Sequence, residues 1–131
     1  MSGAGVVAAV LCAYGTPSIA GVRNSLDALG EHTDDLIASG ATHLAGDYWK
    51  VWPAIFHVNW MLDEQRQNRV VWGLTHRSGP TEALWSAVPR RRIRVAVIPN
   101  DSKASIWLEK YGFTDLPTLE KRSTVDILGM D

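Results

Sequence analysis

The sequence predicts a three-layer α/β domain: a mostly parallel sheet of three to five strands with helices on both faces, closed by a terminal β-hairpin. Three observations point there. Short apolar runs alternate with segments of helical periodicity between residues 42 and 112, the pattern of strands joined by crossover helices. The connections are short, so right-handed crossovers place successive strands in one sheet. The runs at 70–74 and 95–98 are almost continuously apolar, as strands covered on both faces should be. At 131 residues the chain suits one domain, able to bury roughly two thirds of the surface its unfolded form exposes.

The apolar run at 6–13, with Val6, Val7, Val10 and Leu11, reads as a buried strand or as the remnant of a longer hydrophobic segment. It is shorter than the ~20 residues that cross a bilayer, and it lacks the basic start of a signal peptide. Gly15-Thr16-Pro17-Ser18 breaks it. Residues 22–39 then turn helical: Val22, Leu26, Leu29, Leu36 and Ile37 fall near one stripe, with Arg23, Asp27, Asp34 and Asp35 elsewhere. Gly30 leaves room for a kink, and Gly40 is the natural stop.

Three strand-then-helix units follow. The first pairs a strand at 42–45 with a helix at about 50–65, joined by Gly46-Asp47-Tyr48. Pro53 belongs near that helix's first turn, where its missing N–H costs little. The second pairs a strand at 70–74 with a helix at 80–87, opened by Pro80 and carrying Glu82 at its positive end. The third pairs a strand at 93–98 with a helix at 102–111, which Asp101 caps and Gly112 ends. The tail at 119–128 reads as a hairpin turning at Lys121-Arg122-Ser123-Thr124.

Composition excludes more than it assigns. Net charge is -1, so no global basic field recruits nucleic acid. The local run Arg90-Arg91-Arg92 with Arg94 reads as a solvated lead-in to a strand rather than a phosphate patch. The single cysteine, Cys12, makes no intramolecular disulfide and reads as a buried inert thiol. No cysteine–histidine set has zinc spacing, and no metal or cofactor is expected. The six tryptophans are the unusual count. They read as core filling, or as the wall of an aromatic pocket.

In an open parallel sheet, ligands bind beyond the carboxyl ends of the strands. Three polar loops reach that edge: Gly46-Asp47-Tyr48-Trp49, Thr75-His76-Arg77-Ser78-Gly79 and Pro99-Asn100-Asp101-Ser102. Each leads into a helix N-terminus with free amides. The candidate ligand-binding residues are therefore Asp47, Tyr48, Trp49, Trp52, Arg77, Ser78 and Asp101, and no catalytic residue is assigned. A plainer reading stands beside this one. Asp47 and Asp101 act as helix caps, Arg77 pairs with Asp47, and the rings of Tyr48 and Trp49 close the core. No Ser-His-Asp order, nucleophile elbow or phosphate loop is present. Gly3-Ala4-Gly5 precedes its apolar run, whereas a dinucleotide-binding glycine loop follows a strand.

Two resemblances rest on quoted residues. Ser39-Gly40-Ala41-Thr42, Gly46-Asp47-Tyr48-Trp49, Trp52-Pro53-Ala54-Ile55-Phe56 and Val71-Trp72-Gly73-Leu74-Thr75-His76-Arg77, in a stretch from about residue 26 to residue 127, resemble the soluble C-terminal domain of some polytopic membrane glycosyltransferase-like proteins. That resemblance implies a non-catalytic accessory domain outside the cytoplasm. Its implied partners are a sugar, a lipid-linked sugar or the membrane-embedded glycosyltransferase. It also implies that this chain is a detached copy or a piece of a longer protein. Locally, Pro99-Asn100-Asp101-Ser102-Lys103-Ala104 and Trp107-Leu108-Glu109-Lys110-Tyr111-Gly112-Phe113 are similar to the closing motif of N-acetyltransferases of the GNAT type. This implies an acyl-CoA-dependent enzyme as the alternative, although Arg77-Ser78-Gly79-Pro80-Thr81 has an Arg and a Gly but not the spacing of that family's pyrophosphate loop, and Pro80 removes a donor. A small interaction domain is the third expectation.

Overall fold

The computed structural model describes residues 30–131, so the apolar run at 6–13, Cys12 and the helix's first half at 22–29 lie outside the described residues. The elements are α1 (Thr33–Ser39), β1 (His43–Ala45), α2 (Tyr48–Glu64), β2 (Trp72–Leu74), α3 (Gly79–Trp85), a 3-10 turn (Arg90–Arg92), β3 (Arg94–Val97), α4 (Ala104–Lys110), β4 (Thr118–Lys121) and β5 (Asp126–Gly129). They form one five-stranded sheet in the order β2-β1-β3-β5-β4. β1 lies parallel to both β2 and β3, β5 runs antiparallel to β3, and β4 antiparallel to β5. The expected parallel sheet with a terminal hairpin is present, and the hairpin joins the sheet itself.

Helices cover both faces. On one face, Leu36 of α1 and Val51, Ala54, Ile55, Val58 and Leu62 of α2 pack over Leu44, Ala96 and Ile127. On the other, Trp85 of α3, Ala104 of α4 and Phe113 pack over Ala45, Leu74 and Val95. Alternation along β1 makes this division: neighbouring side chains point to opposite faces, and all three of its residues are buried.

The helix ends follow local chemistry. Gly40 takes the left-handed conformation (φ 69°) at the end of α1. Its amide reaches Ile37 O, and the Ala41 amide returns to Leu36 O, a Schellman-type closure. Gly112, at φ 74°, ends α4 in the same way, with the Phe113 amide bonded to Leu108 O. The 17-residue α2 begins at Tyr48, two residues before the sequence suggests, so Pro53 sits inside the helix instead of in its first turn. Proline has no N–H to offer the Trp49 carbonyl one turn back. α2 tolerates this because its inward stripe packs on the sheet, and packing supplies most helical stability in proteins. Its far half is tied to the chain entering β2: Asn59 donates to Val71 O at 3.0 Å and accepts from Val71 N at 2.9 Å. Gly73 lets α2 approach β2, because a Cβ there would lie 3.1 Å from Val51 Cγ1.

The basic run is a strand lead-in. Arg90 bonds Gly112 O at 2.9 Å and pairs with Asp115, Arg94 reaches Ser39 O at 3.0 Å, and Arg91 and Arg92 are exposed.

Candidate functional site

The strand order brings the three loops to one edge. β1, β2 and β3 run in the same direction, so the loops after them share the carboxyl rim. β1 sits between β2 and β3; the chain leaves it into α2 on one face, and leaves β3 into α4 on the other. The gap between the β1–α2 and β3–α4 loops is therefore the topological switch point, where open α/β sheets bind ligands.

Here a side chain of the protein fills that position. Asp101 Oδ2 accepts the Asp47 amide at 2.9 Å, and Oδ1 accepts the Lys103 amide at 2.9 Å. One carboxylate thus serves the starts of two helices, where negative charge is favoured. Asp47 is the N-cap of α2, its Oδ1 accepting the Trp49 amide at 3.0 Å. Asp47 is thus a cap, as the plainer reading expects, whereas Asp101 is not: α4 begins at Ala104 rather than 102, its N-cap is Lys103, and the Asp101 carboxylate bridges the two loops ahead of the helix instead. The pairing of Arg77 with Asp47 is not formed: among the described residues no salt bridge engages Arg77. Arg77 is exposed and left-handed at φ 64°, as is Asn100 in the neighbouring loop. Ser78 faces inward. It is 2% exposed, and its Oγ takes the Thr75 amide at 3.3 Å and meets the Tyr111 hydroxyl at 3.0 Å.

Beside exposed Lys50, His76, Arg77 and Asn100, the rim carries a cluster of aromatic rings. Tyr48 packs edge-on against Trp49 with ring centroids 4.9 Å apart, against Trp52 at 6.4 Å and near His76 at 6.3 Å. Trp52 continues to Phe56 at 6.4 Å. Trp49, Tyr48, Trp52 and Phe56 therefore make an unbroken ridge over the first two turns of α2. Its ends are open: Trp49 is 77% exposed and Phe56 46%. Its middle is held, because Trp52 Nε1 donates to His76 O at 3.3 Å. Phe56 and His76 were not among the candidates read from the sequence. Phe56 becomes legible once α2 is known to start at Tyr48, since it then stands four residues from Trp52 and seven from Trp49 on one side of the helix.

Below the rim, on the α3/α4 face, His43 is fully buried. Its Nδ1 meets Thr42 Oγ1 at 2.8 Å, and its ring stands edge-on to Trp85 at 4.7 Å. Burial pushes its pKa down to about 4, so the imidazole is neutral across the physiological range. Trp85 and Phe113 belong to the core, whereas Trp49 and Phe56 are exposed on the ridge. The sequence cannot make that distinction from composition.

Among the described residues no group of three or more His, Cys, Asp or Glu side chains is placed to hold a metal ion. No described helix is long and apolar enough to cross a membrane. Comparison with protein-family models, with curated proteins and with solved structures finds no match.

Proposed function

We propose that this chain is a non-catalytic accessory domain that holds a carbohydrate on the aromatic ridge at the start of α2. The observation that carries the reading is the ridge itself: four contiguous rings, open at both ends and pinned in the middle. Indole and phenol faces suit the C–H faces of sugar rings, and a tyrosine hydroxyl and a rim of loops offer polar contacts beside them. The state of the rim acids supports the non-catalytic part. Asp47 and Asp101 are occupied by backbone amides, which leaves neither in the role of a free general acid or base.

The resemblance to the accessory domains of membrane glycosyltransferase-like proteins points the same way. It extends the proposal to a sugar or lipid-linked sugar as ligand, a membrane-embedded glycosyltransferase as partner and the extracytoplasmic side of the membrane as location. The acyl-CoA alternative needs free amides at the start of α3. Pro80 stands there, and the Ser78 hydroxyl is already engaged, so that alternative has little to bind with.

The test is a titration of the chain with soluble mono- and oligosaccharides, read by tryptophan emission and by calorimetry. Saturable binding that Trp49→Ala removes is the expected result. Absence of any response to every sugar tried, or binding indifferent to Trp49, would end the proposal. A thermal shift with acetyl-CoA in place of sugars would support the enzyme reading instead.

A further inference from the structure

We infer that Asn59 guards the β2 edge of the sheet: its side-chain amide stands where a neighbouring strand would pair and keeps the β2 edges of two copies of this chain apart. Among the described residues β2 ends the sheet on one side and β4 on the other. The Trp72 amide donates to Thr42 O at 2.8 Å, and Leu74 O accepts the Gly46 amide at 3.3 Å. The backbones of Trp72 and Leu74 therefore face β1, and by ladder alternation those of Val71, Gly73 and Thr75 face outward. Asn59 satisfies both groups of Val71, donating to its carbonyl at 3.0 Å and accepting its amide at 2.9 Å. That is the exchange one residue of an added strand would make. Ser78 does the same for Thr75: its Oγ accepts the Thr75 amide at 3.3 Å, and its own amide donates to Thr75 O at 3.1 Å. Between them only Gly73 offers this edge an amide and a carbonyl with no such partner among the described residues.

The two edges are protected by different means. β4 follows Pro117, carries Glu120 and Lys121, and shifts register between Thr118 and Glu120. Proline, charge and a bulge each deter edge pairing. The run Val70-Val71-Trp72-Gly73-Leu74 has no charge and no proline, and Val70 is 47% exposed. An uncharged run of high strand propensity is the kind that pairs edge to edge. The occupant it fits is a second copy of itself. Antiparallel pairing of two copies about a two-fold axis at Gly73 sets Val71 of one copy opposite Thr75 of the other. Asn59 and Ser78 hold the backbone groups that this pairing needs. What remains is the exchange between the two Gly73 residues, whose net worth falls short of the cost of association.

The experiment measures the mass of the whole chain by light scattering on a sizing column at rising concentration. It compares wild type, Asn59→Leu, Asn59→Ala, Asn59→Asp, and Asn59→Leu combined with Val70→Lys. Leucine keeps the volume of the amide and removes both bonds to Val71. Aspartate also breaks the bond to Val71 O but leaves a charge at the edge. Expected is a monomeric wild type, and a concentration-dependent doubling of mass for Asn59→Leu and Asn59→Ala with circular dichroism retained. Asn59→Asp and the Val70→Lys combination should be monomeric again, because charge on an edge deters pairing. Every variant loses a backbone bond, so a lower thermal midpoint is common to all, and only the edge charge divides them by mass. Association no stronger in Asn59→Leu and Asn59→Ala than in wild type overturns the inference. So does association that persists in Asn59→Asp and in the Val70→Lys combination, which traces it to lost stability instead of an opened edge. If neither apolar variant folds, Asn59 supports the fold itself, and the inference falls as well.

Discussion

The Asp101 carboxylate occupies the space a side chain on Gly46 would need: a Cβ there would lie 2.6 Å from Asp101 Oδ2, the oxygen that holds the Asp47 amide at 2.9 Å. The two positions lie in loops leading to opposite faces of the sheet, so their fit couples the entrances of α2 and α4.

Gly46→Ala is therefore expected to displace the carboxylate and cost about 1–3 kcal/mol, the scale of buried hydrogen bonds lost without replacement. Asp101→Ala should cost a similar amount. The two should be markedly non-additive, because each removes the same contact. Urea unfolding of both single variants and the double variant checks this; full additivity would show that the two are not coupled.

His43 makes stability depend on pH. Its folded pKa of about 4 lies below the ordinary value near 6.5, so the unfolded chain binds the proton first as pH falls. The sign follows: stability is fully present above about pH 6.5 and declines towards pH 4, by at most ~1.4 kcal/mol per pH unit. Burial lowers the pKa of His32 and His57 as well, so wild type alone does not isolate the effect. The difference between wild type and His43→Phe, followed by urea midpoints between pH 7 and 4, should show it. Parallel curves for the two proteins would contradict it.

Asp35 ties α1 to the hairpin turn. It accepts the Thr124 amide at 2.8 Å, the Thr124 hydroxyl at 2.7 Å and Arg122 Nε at 3.1 Å. Burial raises its pKa, but the Thr124 and Arg122 contacts outweigh burial and hold it below the usual carboxylate range. Its contribution is present above about pH 4 and fades below that as the carboxylate protonates. Asp35→Ala should cost about 1–3 kcal/mol and speed amide exchange in the turn at 122–125. Unchanged exchange there would mean that the hairpin holds its turn without α1.

Trp49→Ala separates binding from folding. With its ring 77% exposed, its loss should move stability by no more than about 0.5 kcal/mol, while sugar binding falls. A large drop in the thermal midpoint would show that the ring supports the fold and would make the binding result uninterpretable as a ligand contact.

The sequence by itself determined the elements whose signals are local. Gly40 and Gly112 end helices because they alone enter the left-handed region without a Cβ penalty. The apolar runs at 70–74 and 95–98 contain the strands β2 (Trp72–Leu74) and β3 (Arg94–Val97), both parallel to β1, although Val70 lies outside β2 and is exposed. Asp47 caps α2 because a carboxylate near free amides has few better partners. The start of α2 was legible only to within two residues. Pro53 pointed to a later beginning, and packing of the inward stripe overrode that local preference.

Tertiary structure alone decided which groups are free. The same rim supplies Asp101, Ser78 and Trp49, and all three read alike as candidates. Only the strand order puts Gly46 beside Asp101, which uses the carboxylate within the fold, and only the seating of α3 and α4 turns Ser78 inward to Tyr111. The rings divide for the same reason. Trp85 is buried over His43 while Trp49 is open to solvent, because burial belongs to the packed arrangement of layers and is carried by no residue type.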